Sequence, residues 1–496
     1  MKKLLILLLA AAMLITSFVA CTPAEEKPDD PKESPSETPS DSVSNPDPED
    51  SEEIEDIGIP DGLNYGGDEV YIMHWTAYNP EFVVDEQADP GDPIYSAIEK
   101  KNLYTEDKLG ITLDFTEVLG DGGGPQPFIE ALKNRMSDPS TPVDIMAAYA
   151  RTTAMTALEG ILCDLTQFDN IDLSKEWWPK DIQEEYNIDG RLYFISGDIS
   201  SNLLLMMYGV YYNKPLLESY GRENPVELVK RDEWTIDEFI RMSSDVYENM
   251  SGQDGAGFYG LTCSYWDFDA IYHASGYGLV DRDPTGENVV KYSDELFSSI
   301  VDAYISKLSK WVKSPDVISE TNYSGVARKA FMEGRSLFTI SAASIGFDLR
   351  ETDIDYGAVP MPKLDPKTQD RYVTCLANPF SLYGMSTASI DKERAAATLQ
   401  TLGYYAYKHT TPAVYDVTLK GKFSKDEDTM AMWEKMREGI SFDMGRVYHT
   451  QLGGLCDVVS MAITNGTQWS TVYVGPIHKG RLNSMRILNN KLESLS

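Results

Sequence analysis

Cysteine is scarce in this chain: five residues in 496, at positions 21, 163, 263, 375 and 456. The last four stand about a hundred residues apart, with no CxxC pair and no histidine at ligand spacing, which argues against a small disulfide scaffold and against a zinc site. Each sits in an apolar context, so buried free thiols are expected, with two disulfides as the alternative. Basic residues are also short, 43 Lys and Arg against 79 Asp and Glu, for a formal net charge of −36. That balance excludes nucleic acid and other polyanions as partners, because their binding needs a basic surface. Beyond residue 21 no run is long and apolar enough to span a bilayer. GxSxG, HExxH and GxxxxGK[ST] are all missing, and His74, His273, His409, His449 and His478 never fall at metal-ligand spacing. No cofactor and no metal are expected.

What is present starts with MKKLLILLLAAAMLITSFVAC: a basic start at Lys2 and Lys3, an apolar run from Leu4 to Ile15, and Val19-Ala20-Cys21 where a bacterial lipobox is cut. Residues 1–21 read as a lipoprotein signal, with lipid carried on Cys21. The rest of the chain is then held at the extracellular face of the bacterial cell membrane. Ordinary cleavage with release, or an uncleaved anchor helix, would place it on the same side. Residues 22–65 follow with fifteen Asp and Glu, two Lys and eight prolines, a net charge of −13. Such a segment buries too little apolar surface to offset its ordering entropy. It reads as a disordered leash spanning about 35 to 40 Å.

The remaining stretch, of about 430 residues and net charge −25, is large for one core and suggests two lobes. Short apolar runs alternate with segments of helical period, the α/β signature. Glu69–Trp75, Ile111–Val118 and Val143–Tyr149 read as strands, and Pro93–Leu109 and Phe128–Met136 as helices. Two such βαβ units imply a largely parallel, doubly wound sheet, which binds ligands beyond the carboxyl ends of its strands. Thr235 reads as a helix N-cap with Glu238 at the capping-box position, and Trp234 as a structural wedge beside it.

Two motifs imitate known sites. Gly255, Gly257 and Gly260 form a GxGxxG, but it precedes a strand rather than following one, so it reads as a turn. Asp281, Asp283, Thr285 and Gly286 copy half of a calcium loop. Position twelve is Tyr292 instead of a bidentate Glu, so a hairpin turn is expected there.

The sharpest signal is an ordered succession: Asn187–Gly197 (NIDGRLYFISG), Tyr211–Glu218 (YYNKPLLE), Glu233–Phe239 (EWTIDEF), Lys329–Ile340 (KAFMEGRSLFTI) and Asp355–Lys363 (DYGAVPMPK). Together these resemble the family 1 extracellular solute-binding proteins, relatives of the maltose-binding protein. Asn79–Glu86 and Ala406–Lys422 resemble a clostridial lipoprotein subgroup of that family. The usual Pro-Pro before Trp234 is absent. The resemblance implies a two-lobed, type II periplasmic-binding-protein-like fold, α/β, with lobes joined by crossing hinge strands and a ligand caught between them. The lobes are expected at 66–205 with 342–410, and at 206–341 with 411–496.

Cleft candidates are the side chains that follow strand ends: Trp75, Thr76 and Tyr78, then Tyr149 and Arg151, then Trp266 and Asp267, then Ser341 and Ser344. Aromatic faces cover the C–H side of a pyranose, while Arg, Asp and hydroxyls bond its rim. The mixture suits a neutral sugar better than an ion. The expected protein is a monomeric, non-enzymatic solute receptor, with an oligosaccharide as its small-molecule ligand and ABC permease subunits as its partners. A surface glycoside hydrolase and a sensing or adhesive lipoprotein are the alternatives.

Overall fold

The computed structural model describes residues 56–84, 91–248, 257–321, 325–474 and 476–495. The signal, Cys21, the leash up to residue 55, Asp85, Glu86 and Gly255 lie outside them. Thirteen strands form among the described residues: β1 (Asp68–Trp75), β2 (Ile111–Val118), β3 (Ile145–Tyr149), β4 (Tyr208–Asn213), β5 (Tyr259–Ser264), β6 (Val280–Arg282), β7 (Val290–Tyr292), β8 (Val317–Glu320), β9 (Ser336–Ala342), β10 (Tyr356–Pro360), β11 (Thr374–Cys375), β12 (Ser381–Met385) and β13 (Ile440–Ser441).

Nine of the strands build two sheets. The first runs β12-β3-β1-β2, with β1 parallel to both neighbours and β12 antiparallel to β3, Ser381 facing Tyr149. The second runs β10-β4-β9-β5-β8, with β9, β5 and β8 parallel and β4 antiparallel to both β9 and β10. Val70, Ile72, Met73 and Trp75 of β1 are all buried, as expected of a strand covered on both faces. This is the two-lobed α/β architecture of type II periplasmic binding proteins, one sheet per lobe.

Local chemistry sets the element ends. Helix Pro93–Leu109 starts where the Asp92 carboxylate accepts from Ile94 N at 2.8 Å, and stops at Gly110, whose φ of 59° favours glycine. Thr235 caps its helix by accepting from Glu238 N at 3.3 Å, while the Glu238 side chain turns to Arg241 instead of completing a box. Trp234 is fully buried and donates to Pro360 O at 2.8 Å, a wedge between lobe segments. The half calcium loop is a hairpin: β6 pairs with β7, and Asp283 accepts from Thr285 and Asn288. Cys163, Cys263, Cys375 and Cys456 are free and buried.

Two expected boundaries move. The leash ends before residue 57, because Ile57 is buried in the core and its carbonyl accepts from Gln400 Nε2 at 2.8 Å. The return to the first lobe does not fall at 342, because β10 pairs with β4 and so belongs to the second sheet through Pro360.

Candidate functional site

Five chain segments leave the ends of sheet strands and converge on one cavity of about 610 Å³. The first lobe supplies Tyr78 and Asn79 after β1, Gly122 and Gly123 after β2, and Tyr149 and Arg151 at the end of β3. The second lobe supplies Trp266 and Asp269 after β5, Arg328, and Ser341 and Ser344 at the end of β9. Arg446, Asp457 and Ser460 reach the wall from the C-terminal helices. A second hollow, of about 650 Å³, lies between residues 183–189 and the turn of the β6–β7 hairpin, bordered mainly by carboxylates and Arg282.

Six of the nine expected side chains border the first cavity: Tyr78, Tyr149, Arg151, Trp266, Ser341 and Ser344. Three do not. Trp75 is fully buried and donates from Nε1 to Ser381 Oγ at 2.8 Å. Its ring stands edge-on to Tyr78 at 5.4 Å and to Tyr149 at 5.5 Å, so it backs the two tyrosines that face the cavity. Thr76 is exposed and does not border the cavity. Asp267 is buried, with Oδ2 accepting from Ser264 N at 2.6 Å, a structural bond at the start of helix Asp267–Ala274.

Behind Trp75 lies a polar network that periodicity could not reveal. Buried Glu81 accepts from Asn202 Nδ2 at 2.6 Å, and from Ser381 Oγ and Tyr383 OH at 2.9 Å each. Buried Lys101 donates to the Glu81 carbonyl at 2.9 Å, and Asn79 Nδ2 donates to Asn202 Oδ1 at 2.8 Å. Burial pushes the Glu81 carboxyl up and the Lys101 ammonium down to about 8. The network clamps the loop carrying Tyr78 and Asn79 onto β12.

The second wall is built on charge. Arg446 donates from Nη2 and Nε to Asp269 Oδ2 at 2.6 and 3.1 Å, and from Nη1 to Leu376 O at 2.7 Å. Burial raises the Asp269 carboxyl, but Arg446 and then Arg151 outweigh it and hold the group below its ordinary range. Asp269 borders the cavity, and its Oδ1 is buried without a hydrogen-bond partner among the described residues. Arg446 itself is fixed through segment 443–447. Asp443 accepts from Leu279 N and Gly445 N, and Glu185 of the first lobe accepts from Met444 N at 2.6 Å. Burial, and then Asp443, push Glu185 up to about 7. Among the described residues no three His, Cys, Asp or Glu side chains are grouped to hold a metal ion.

Comparison with known structures supports the architecture. The maltose/maltodextrin-binding domain of Bdellovibrio bacteriovorus, bound to maltotriose, is 12% identical over 85% of this chain and 99% of its own, with a TM-score of 0.53. The GacH receptor of Streptomyces glaucescens, known unliganded and with acarbose, is 12% identical over 86% and 100%, with a TM-score of 0.53. An ABC substrate-binding protein of Listeria monocytogenes in complex with cycloalternan is 13% identical over 86% and 99%, with a TM-score of 0.51. No curated protein matches the sequence. The family model of the bacterial extracellular solute-binding proteins matches residues 85–399, which hold every strand of the two sheets except β1, and to that family the chain belongs.

Proposed function

We propose that this chain is the lipid-anchored receptor of an ABC importer and takes an oligosaccharide in the cavity between its lobes. The observation that carries this reading is the wall itself: four aromatic residues, Tyr78, Tyr149, Tyr208 and Trp266, beside Asp269, Arg151, Ser341 and Ser344. Rings cover the apolar face of a sugar ring, and the polar groups bond its hydroxyls. Because the groups come from both sheets, a bound solute bridges the lobes and favours a closed form by hinge motion. The closed form is what the permease subunits receive. Lipid on Cys21 keeps the receptor beside them, with the acidic leash giving it reach.

The hydrolase alternative fits the wall poorly. Glycoside hydrolysis needs one carboxyl held protonated as general acid, and Asp269 is held ionised by Arg446 and Arg151. Incubation of the purified chain with a glycan panel tests the reading. Binding without turnover is the expected result. Release of reducing ends, abolished by Asp269→Asn or Asp457→Asn, would overturn it.

A further inference from the structure

The charge of the cavity wall runs against the charge of the chain. The sequence holds 79 acidic residues against 43 basic ones, yet the wall carries three arginines, Arg151, Arg328 and Arg446, against two carboxylates, Asp269 and Asp457. Two of the arginines are committed, Arg446 to Asp269 and Arg328 to Asp348. Asp457 has His449 Nε2 at 3.4 Å. Arg151 has no carboxylate partner among the described residues: its Nε donates to Arg446 O at 3.3 Å, and its two terminal nitrogens bond to none of them.

The backbone adds to this charge. Helix Ala150–Ala157 begins at the cavity with Arg151 in its first turn, no acidic residue in that turn and no side-chain cap. Helix Leu455–Asn465 also places Cys456, Asp457 and Ser460 on the wall but adds no such charge, since Asp457 stands in its first turn and Cys456 N donates to His449 Nδ1 at 3.1 Å. Unbonded N–H groups at helix starts carry partial positive charge. Gly122 keeps the way open, since a Cβ there would stand 2.7 Å from the Tyr149 ring.

We propose that the cleft selects an acidic oligosaccharide, one bearing a sugar carboxylate of the uronate type, and that Arg151 reads the carboxylate while Asp269 Oδ1 accepts from a hydroxyl. This rests on the oligosaccharide reading above and narrows it. The sequence, counting residue types alone, favours a neutral sugar. The structure shifts the balance because Arg446 and Arg151 share the one Asp269 carboxylate, which Arg446 already bonds, so one guanidinium charge is in excess. A planar guanidinium fork matches a carboxylate bidentately. A hydroxyl would satisfy its hydrogen bonds but leave its charge unpaired as the lobes close and exclude water, which is costly. The chain's general negative charge opposes the ligand weakly, since exposed charges beyond about 8 Å are screened at physiological salt.

The test is calorimetric titration of the full chain with uronate oligosaccharides of several linkages, the same oligosaccharides with carboxyls reduced to alcohols, and malto-oligosaccharides. At least one acid form is expected to bind tenfold or more tightly than its reduced form, and added salt should weaken the acid form more. Arg151→Gln should erase that difference, and Arg151→Lys should keep part of it. Ligand-free melting of both variants separates lost binding from lost fold, and the acid-against-reduced comparison on the unsubstituted chain needs no variant at all. Neutral or reduced glycans binding as tightly as any acid form, in a ranking that Arg151→Gln leaves unchanged, would overturn the acidic ligand while the oligosaccharide reading stands. Failure of every glycan to bind would overturn both.

Discussion

The two walls of the cavity are held by different physics. On the first lobe, Tyr78 and Tyr149 stand on buried Trp75, which is pinned through Ser381 to the Glu81 network. On the second lobe, Trp266 is itself at the surface, 43% exposed, and the wall behind it rests on the buried ion pair of Asp269 and Arg446. Packing is short-ranged and fixes shape. A buried pair is worth little net stability, but losing one partner leaves a costly charge. Both walls present an exposed aromatic, Tyr78 at 61% and Trp266 at 43%, but the first takes its shape from packing on Trp75 and the second from an ion pair.

Four substitutions break or sharpen that contrast. The largest effect belongs to Trp75→Ala, which empties a packed site and should cost the ligand-free chain about 3 to 5 kcal/mol in denaturant melts. A cost below about 1 kcal/mol would mean that the first wall does not rest on it. Next is Glu185→Gln, at the joint between the walls. Burial raises Glu185 to about 7 and Asp443 to about 6, above their ordinary values, so their stabilisation is complete near pH 4 and is lost as pH rises through 7. At pH 8 the Gln variant should therefore exceed the parent by up to about 3 kcal/mol, with the gap closing toward pH 4.5. A gap independent of pH would contradict that origin.

Trp266→Ala should act on the other ledger, weakening glycan binding by about 1 to 3 kcal/mol while barely moving the ligand-free melt. Large loss of stability with unchanged affinity would make Trp266 a core residue. The smallest effect is that of Cys21→Ser, which lies outside both walls. It should shift the protein from the detergent phase to the medium in phase partitioning and leave ligand affinity unchanged. Equal membrane retention of the variant would point to an uncleaved helix.

The sequence showed the first lobe's framework well because its signals are local. Asp92 and Gly110 bracket a helix, and the apolar runs of β1 from Val70 and of β3 read as covered strands. The same logic of strand ends reached Tyr78, Tyr149, Arg151, Trp266, Ser341 and Ser344. It did not bring Trp75, Thr76 and Asp267 to the cavity, because pleat and capping decide which neighbour faces inward, and a one-residue difference reverses the side. It also missed Asp269, Arg446 and Asp457. Arg446 sits in a four-residue helix and meets Arg151 across 295 positions, a contact that no periodicity encodes. The boundary set at 342 fails for a similar reason: β10 joins the second sheet by pairing antiparallel with β4, far back in the chain.

The four buried cysteines give the molecule its own internal reporters. Burial pushes the thiols of Cys263, Cys375 and Cys456 up, so they are poor nucleophiles in the folded chain, and nothing covalent ties one to another. Folding outside the cell therefore needs no oxidant or disulfide isomerase. Cys456 borders the cavity whereas Cys163, Cys263 and Cys375 do not. A solute bound in the cavity is therefore expected to slow alkylation of Cys456 and to leave that of the other three unchanged, as read by mass spectrometry.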